Sequence, residues 1–154
     1  MKKVVVLSDN HGFDDILDEI KILEPDADYF IHCGDSEARR RQLLDGMICV
    51  AGNNDWGIDL PRYAKIQIED LKILITHGQY YGYFSRQQLM EVDLKKHDCQ
   101  ALFSGHTHIP DFSEKDGFYF LNPGSTTLPR GGSSRSYAVA MIDGSHMDVE
   151  FKEL

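Results

Sequence analysis

The sequence predicts an α/β fold in which two mixed β-sheets pack together and helices cover the outside. Short apolar runs alternate with helical segments in the first half, which is typical of βαβ units with parallel strands. In the second half, similar runs joined by short polar turns indicate β-hairpins. Because 154 residues correspond to about one domain, we expect a single domain over residues 1–154.

The buried strands are predicted at the short apolar runs, namely residues 4–7, 29–31, 47–51, 73–75 and 101–103. Helices are predicted for residues 13–24, 36–44 and 85–97. The first of these has one apolar face and ends before Pro25. Ser85 and Gln88 fit a capping box at the start of the third.

The later hairpins are predicted from turn residues that separate pairs of apolar runs. Residues 63–68 and 71–76 flank the turn Glu69-Asp70, and residues 137–142 and 147–152 flank the polar segment 143–146. Residues 118–121 form a further strand after the turn Asp116-Gly117. The second half is therefore expected to be rich in strands.

Composition and charge exclude several classes of function. With 16 Lys and Arg against 25 Asp and Glu, the formal charge is −9, so we expect no binding to long nucleic acid. Bound cations could still supply the positive charge that a phosphate ester needs. Only four apolar residues, 4–7, precede the first polar cluster, which is too few for a secretory or membrane-spanning segment. We therefore expect a soluble, cytoplasmic protein whose Cys33, Cys49 and Cys99 are free, buried thiols.

A polar cluster follows each of the five apolar runs. Ligands of open α/β sheets bind beyond the carboxyl ends of the strands, so these clusters are expected to meet there. Asp9 and His11 are two residues apart, as are His106 and His108, and an extended backbone would send both members of each pair the same way. The pooled clusters contain seven potential metal ligands, namely Asp9, His11, Asp35, Asn53, His77, His106 and His108.

Seven ligands exceed one tetrahedral site and suit two divalent ions that share a carboxylate. The absence of Cys from the set argues against a structural zinc site. Nitrogen and oxygen ligands together favour Mn²⁺, with Ni²⁺, Co²⁺, Fe or Zn²⁺ as alternatives, over Ca²⁺.

The order of the clusters resembles that of the calcineurin-like metallophosphoesterases, and the small size resembles their compact YfcE-like phosphodiesterase branch. The motifs are Asp9-Asn10-His11, Gly34-Asp35, Gly52-Asn53-Asn54-Asp55, Thr76-His77-Gly78, Gly105-His106-Thr107-His108 and Asn122-Pro123-Gly124-Ser125. The resemblance implies a four-layer α/β/β/α sandwich. It also implies that Asp9, His11 and His108 hold one metal, that Asn53, His77 and His106 hold the second, and that Asp35 bridges them.

The resemblance further implies a metal-dependent phosphodiesterase that acts on small phosphate esters. In such sites a hydroxide between two metals attacks phosphorus in line with the leaving group. The competing activities within this class are those of a phosphomonoesterase, a nucleotide pyrophosphatase and a nuclease.

Asn54 departs from the family pattern, because many members have a proton-donating His at this position. An amide donates a hydrogen bond but is not a general acid near neutral pH, so diesters with good leaving groups are the expected substrates. Asn54 is either a donor that faces the substrate or a turn residue. Asp55, which would orient the missing His, has a changed role in the catalytic site.

Basic and aromatic residues near the motifs give further candidates. Arg39, with its neighbours in the run 39–41, is either on a solvated helix face or in contact with substrate phosphate. The aromatic residues of segment 80–84 are expected in the core or at a subunit contact of a homo-oligomer. The Gly-rich segment 130–135 is expected to be a mobile loop, with substrate contact as the alternative.

Two non-enzymatic functions compete with the phosphodiesterase. A scaffold is one, since the retromer subunit related to this fold binds proteins through a degraded site. A regulator that binds a small molecule or metal is the other. All seven ligand positions are filled by competent residues here, which favours the enzyme.

Overall fold

The computed structural model describes residues 1–154 and contains two five-stranded sheets and two α-helices. The helices are α1 (Asp15–Leu23) and α2 (Arg86–His97), and a 3₁₀ turn spans Arg41–Leu44. The strands are β1 (Lys2–Leu7), β2 (Tyr29–His32), β3 (Met47–Cys49), β4 (Tyr63–Ile68), β5 (Leu71–Thr76), β6 (Ala101–Phe103), β7 (Pro110–Lys115), β8 (Phe118–Pro123), β9 (Ser136–Asp143) and β10 (His146–Glu153). Neither helix is long and apolar enough to cross a bilayer.

Both sheets are mixed, as predicted. The first has the strand order β10-β9-β1-β2-β3, in which β1, β2 and β3 are parallel and β9 runs antiparallel to β1. The second has the order β4-β5-β6-β8-β7, in which β5, β6 and β8 are parallel. Each sheet therefore has three neighbouring parallel strands whose carboxyl ends lie at the same end of the sheet.

The alternation of side chains along the strands explains the layers. Val4 and Val6 lie on the inner face of β1 and pack between the sheets with Ile75 and Phe103. Val5, on the other face, packs against α1. The outer face of the second sheet is covered in the same way by α2. The fold is thus the expected α/β/β/α sandwich, with its largest core cluster between the two sheets.

Three predictions about the elements were wrong. Residues 36–44 form only the 3₁₀ turn Arg41–Leu44, because Asp35 and Glu37 adopt left-handed backbone angles (φ 57° and 53°) that cannot start an α-helix. Ser85 is also left-handed (φ 43°) and makes no capping hydrogen bond, so the capping box is absent. The prediction missed β7, an edge strand that begins with Pro110 and is mostly polar.

Candidate metal centre

The seven predicted ligands all follow carboxyl ends of parallel strands. Backbone hydrogen bonds join the loops that carry them, since the Asp9 amide donates to the Gly34 carbonyl (3.0 Å) and the Gly105 amide donates to the His77 carbonyl (3.1 Å). The first bond ties the loops of the first sheet together, and the second ties those of the second sheet. The two loop sets meet above the core.

Five of the seven candidates have a left-handed backbone, which non-glycine residues seldom adopt. Their φ angles lie between 47° and 73°, and the residues are Asp9, His11, Asp35, His106 and His108. The extended backbone predicted for the pair Asp9 and His11 and for the pair His106 and His108 is therefore wrong. A turn brings the side chains together instead, with His11 Nε2 3.6 Å from Asp9 Oδ1. Strained conformations of this kind concentrate at functional sites.

Asp9, His11 and His108 form one compact group whose potential ligand atoms lie within 4.8 Å of one another. His108 Nδ1 lies 2.6 Å from the Leu128 carbonyl, which only accepts, so Nδ1 donates and Nε2 faces the other members of the group. His108 Nε2 lies 3.2 Å from Asp9 Oδ1 and 3.3 Å from His11 Nε2. Three donor atoms therefore converge on one point.

A second group consists of Asp9, Asp35 and His77, whose potential ligand atoms also lie within 4.8 Å of one another. His77 Nδ1 donates to the Cys33 carbonyl (2.7 Å), which fixes the ring and leaves Nε2 facing the carboxylates. Asp35 Oδ2 lies 3.3 Å from His77 Nε2 and 3.8 Å from His11 Nε2. Asp35 thus lies between imidazoles of both groups.

The unpaired polar atoms of these groups test whether a cation fits. Asp9 Oδ1 and His77 Nε2 are both buried and have no hydrogen-bond partner. A buried polar atom without a partner is costly, by about 1–3 kcal/mol. A divalent ion would accept both lone pairs, and the carboxylate and imidazole donors match those of first-row metals. The residues therefore fit a metal ion.

The electrostatics keep both carboxylates charged. Burial alone would raise the pKa of Asp9, but the adjacent imidazoles of His108 and His11 outweigh burial and lower it. Burial of Asp35 is likewise outweighed by His77 and Asn54, which lower the pKa of Asp35. Two negative charges thus persist in a nearly water-free pocket, where a cation would balance them.

Asn53 and His106 lie beside the second group. His106 Nδ1 is 3.2 Å from Asn53 Oδ1, and the His106 ring lies edge-on to that of His77 at 5.2 Å between centroids. The structure therefore brings all seven candidates to one locus.

Asn54 and Asp55 both hold the loop that carries Asp35. Asn54 donates to Asp35 from its backbone (2.9 Å) and from its side chain (3.0 Å). The Asp55 carboxylate accepts hydrogen bonds from the backbone amides of Asp35 (2.8 Å), Glu37 (2.8 Å) and Gly52 (2.6 Å). The side chain of Asp55 is therefore occupied in joining the loops after β2 and β3.

Several supporting residues were not identified as such from the sequence. Ser8 Oγ donates to Asp9 Oδ2 (2.6 Å), and Ser125 Oγ donates to the Asp9 carbonyl (2.8 Å). The Asn122 side chain donates to the Gly105 carbonyl (2.9 Å). Asn122 and Ser125 belong to the motif 122–125, one of those that carry the family resemblance.

Arg86 was missed altogether. Its guanidinium donates to the carbonyls of Gly78 (2.9 Å) and Gly105 (3.2 Å), which adjoin His77 and His106 in the chain. One half-buried side chain at the start of α2 thus holds two of the loops that carry candidate ligands. A lone Arg in a helical segment gives no sequence signal of such a role.

Two glycines permit the close packing of these loops. A Cβ atom on Gly52 would collide with the Asp35 carboxylate. One on Gly105 would collide with Ser8 Oγ and lie 2.6 Å from Asp9 Oδ2. Any side chain at either position would displace a candidate ligand.

The remaining candidates lie around the centre. Arg39 is exposed and lines a cleft next to the centre. In the aromatic segment 80–84 only Tyr81 is buried, whereas the other three aromatic side chains are exposed, so the core placement is wrong for them. Arg135 of the Gly-rich segment donates to the Thr126 carbonyl (2.7 Å).

The sequence matches the calcineurin-like phosphoesterase superfamily domain over residues 1–145. YsnB of Bacillus subtilis (strain 168), a probable metallophosphoesterase, is 34% identical over 96% of this chain and 89% of its own. The phosphodiesterase YfcE of Escherichia coli (strain K12) is 27% identical over 72% of this chain and 60% of its own. The crystal structure of a predicted phosphoesterase from Streptococcus pneumoniae TIGR4 has a TM-score of 0.89 at 31% identity, covering 97% of this chain and 88% of that chain. The family expected from the ordered motifs is thereby confirmed, and the chain belongs to the calcineurin-like phosphoesterase superfamily.

Proposed function

We propose that the protein is a metal-dependent phosphodiesterase with a dinuclear centre. One divalent ion would be held by Asp9, His11 and His108, and the second by Asn53, His77 and His106. Asp35 would be a ligand of both ions. The convergence of the unpaired Asp9 Oδ1 and His77 Nε2 atoms with two charged carboxylates carries the proposal. Two bound cations, with Mn²⁺ expected first, would supply the positive charge that neutralises phosphoryl oxygens and activates water near neutral pH.

The chain's own residues act by holding this arrangement. Carbonyl groups of Cys33 and Leu128 fix the rings of His77 and His108, and Asn54 fixes both oxygens of Asp35. Ligands held in this way lose little further freedom when metal and substrate bind.

The preference for good leaving groups rests on Asn54. Its amide donates to Asp35 and carries no proton that it could transfer to a leaving group. Substrates whose leaving group departs without protonation are therefore favoured. The name of YfcE, a phosphodiesterase, supports diesters as the substrates.

A metal-reconstitution assay tests the proposal. The protein is stripped with a chelator, and hydrolysis of bis(4-nitrophenyl) phosphate and of 4-nitrophenyl phosphate is measured with Mn²⁺, Ni²⁺, Co²⁺, Zn²⁺ and Mg²⁺ added singly. We expect activity to return with metal and to be higher on the diester. His106→Ala should abolish it, while His97→Ala, at the far end of α2, should not. A folded protein that is inactive with every metal would refute the proposal and favour a scaffold.

A further inference from the structure

A cleft of about 880 Å³ opens directly beside the candidate metal centre. His11 and Asn54 form its wall toward the centre, and Arg39, Arg40 and Trp56 lie along the rest. Sites for small molecules have volumes of about 300–1,000 Å³, so the cleft is large enough for a substrate substituent.

The two arginines of the cleft have no partners within the protein. Neither guanidinium makes an ion pair or a hydrogen bond, and both side chains are exposed. Asp14 and Glu37 also line the cleft, so its formal charges sum to zero in a chain whose net charge is −9. Unpaired guanidinium groups in this setting are suited to bind a phosphate or carboxylate.

Trp56 provides an apolar surface in the same cleft. It is the only tryptophan of the chain, and its residue is 87% exposed. A flat exposed indole in a cleft beside charged side chains can stack on an aromatic ring, as in sites that bind nucleic acid bases.

We propose that this cleft binds the non-leaving substituent of the phosphodiester, and that this substituent is a nucleoside carrying a further phosphate. The base would stack on Trp56, and the additional phosphate would contact Arg39 and Arg40. This inference rests on the proposed function. One cleft of this size holds about one nucleotide, which agrees with a short substrate rather than a long acidic polymer.

A series of diesters with one leaving group tests the subsite. The substrates are methyl 4-nitrophenyl phosphate, the 4-nitrophenyl ester of thymidine 5′-phosphate, and the same ester with a 3′-phosphate. We expect kcat/KM to rise along the series, by about tenfold or more in total. Equal values would overturn the subsite but leave the phosphodiesterase intact, whereas failure to hydrolyse any of the three esters with any metal would overturn the proposed function.

Tryptophan fluorescence gives a readout that does not depend on activity. Protein loaded with Mg²⁺ is titrated with thymidine 3′,5′-bisphosphate, with inorganic phosphate as a reference ligand. We expect the bisphosphate to quench Trp56 and inorganic phosphate to leave the emission unchanged. Arg39→Gln should weaken binding about tenfold, while Arg41→Gln should not, because the Arg41 guanidinium donates to the Asp59 carbonyl instead. No quenching, or equal affinity in both variants, would overturn the inference.

Discussion

Asn54 donates two hydrogen bonds to Asp35, one from its backbone to Oδ1 at 2.9 Å and one from its side-chain amide to Oδ2 at 3.0 Å. The residue that replaces the proton donor of many family members therefore supports a candidate metal ligand. Of the two alternatives drawn from the sequence, a substrate-facing donor or a turn residue, the structure has the turn, which Asn53 and Asn54 form, and the side-chain amide of Asn54 faces a carboxylate of the chain.

Substitutions of Asn54 separate its effect on protonation of the leaving group from its support of Asp35. Asn54→His restores a group that can protonate a leaving group, so hydrolysis of diesters with poor leaving groups should rise relative to activated ones. The ratio of kcat/KM for the two substrate types, measured with Mn²⁺, gives the result. Asn54→Ala removes only the hydrogen bond to Asp35 and should lower metal affinity without changing that ratio. An equal ratio in all three proteins would contradict the leaving-group argument.

Gly105→Ala should weaken metal binding while the fold survives. The added Cβ meets Ser8 Oγ and Asp9 Oδ2, so the carboxylate must move away from His108. We expect affinity for Mn²⁺, measured by calorimetry, to fall about tenfold or more. Gly46→Ala is the control, because its φ of 78° lowers stability whereas no atom lies within 4 Å of its Cβ. Unchanged affinity in Gly105→Ala would contradict the close approach.

Arg86→Gln should loosen the loops after β5 and β6 together. The shorter, neutral side chain cannot reach the carbonyls of both Gly78 and Gly105, so His77 and His106 lose a common support. We expect loss of metal at the second site, seen as a stoichiometry that falls from two ions toward one. Arg86→Lys should be intermediate. The control Arg62→Gln, whose guanidinium lies 4.8 Å from the exposed Tyr80 ring, should bind both ions.

Glu24 links stability to pH at a point remote from the centre. Its carboxylate accepts from Tyr137 (2.7 Å) and pairs with Lys3 (2.7 Å). Burial raises the pKa of Glu24, but Lys3 and Tyr137 together outweigh burial and hold it below the usual 4.5. The group therefore stabilises the fold above pH 4.5, and this contribution is lost as pH falls through the lower folded-state pKa.

Urea unfolding between pH 7 and pH 3 checks this linkage. Glu24→Gln has no titrating group at this position, so its stability should be lower than that of the wild type at pH 7 and should fall less steeply below pH 4.5. Tyr137→Phe keeps the ion pair with Lys3 and should retain most of the pH dependence. If the free energy of unfolding changed with pH in the same way for wild type and Glu24→Gln, a contribution from this carboxylate would be excluded.

The parts of the fold that the sequence predicted are those governed by local pattern. The hairpin of β4 and β5 has the predicted bounds, because apolar side chains and turn residues both specify it. Residues 36–44 were predicted as a helix since their composition allows one, but the chain is diverted there to place Asp35 in the centre. The backbone geometry needed at the site therefore outweighs the local preference for a helix.

The candidate site was predictable as a set of residue types at strand ends, because the topology of parallel strands brings those ends together. The residues that support the candidate ligands were not predictable. Arg86 acts through carbonyl groups 8 and 19 residues away, and any residue type supplies a carbonyl, so no pattern in the sequence marks the contact.

Phe103 connects the core to the centre, and its truncation tests how far the sandwich depends on the inter-sheet layer. It is the last residue of β6, is fully buried between the sheets, and directly precedes the segment that leads to His106. Phe103→Ala should lower the free energy of unfolding by about 3–5 kcal/mol, because it leaves a cavity that close-packed neighbours cannot fill. Phe84→Ala removes a ring that is 93% exposed and should change stability by less than about 0.5 kcal/mol. Equal unfolding midpoints and slopes in urea for the two variants would contradict the placement of Phe103 in the core.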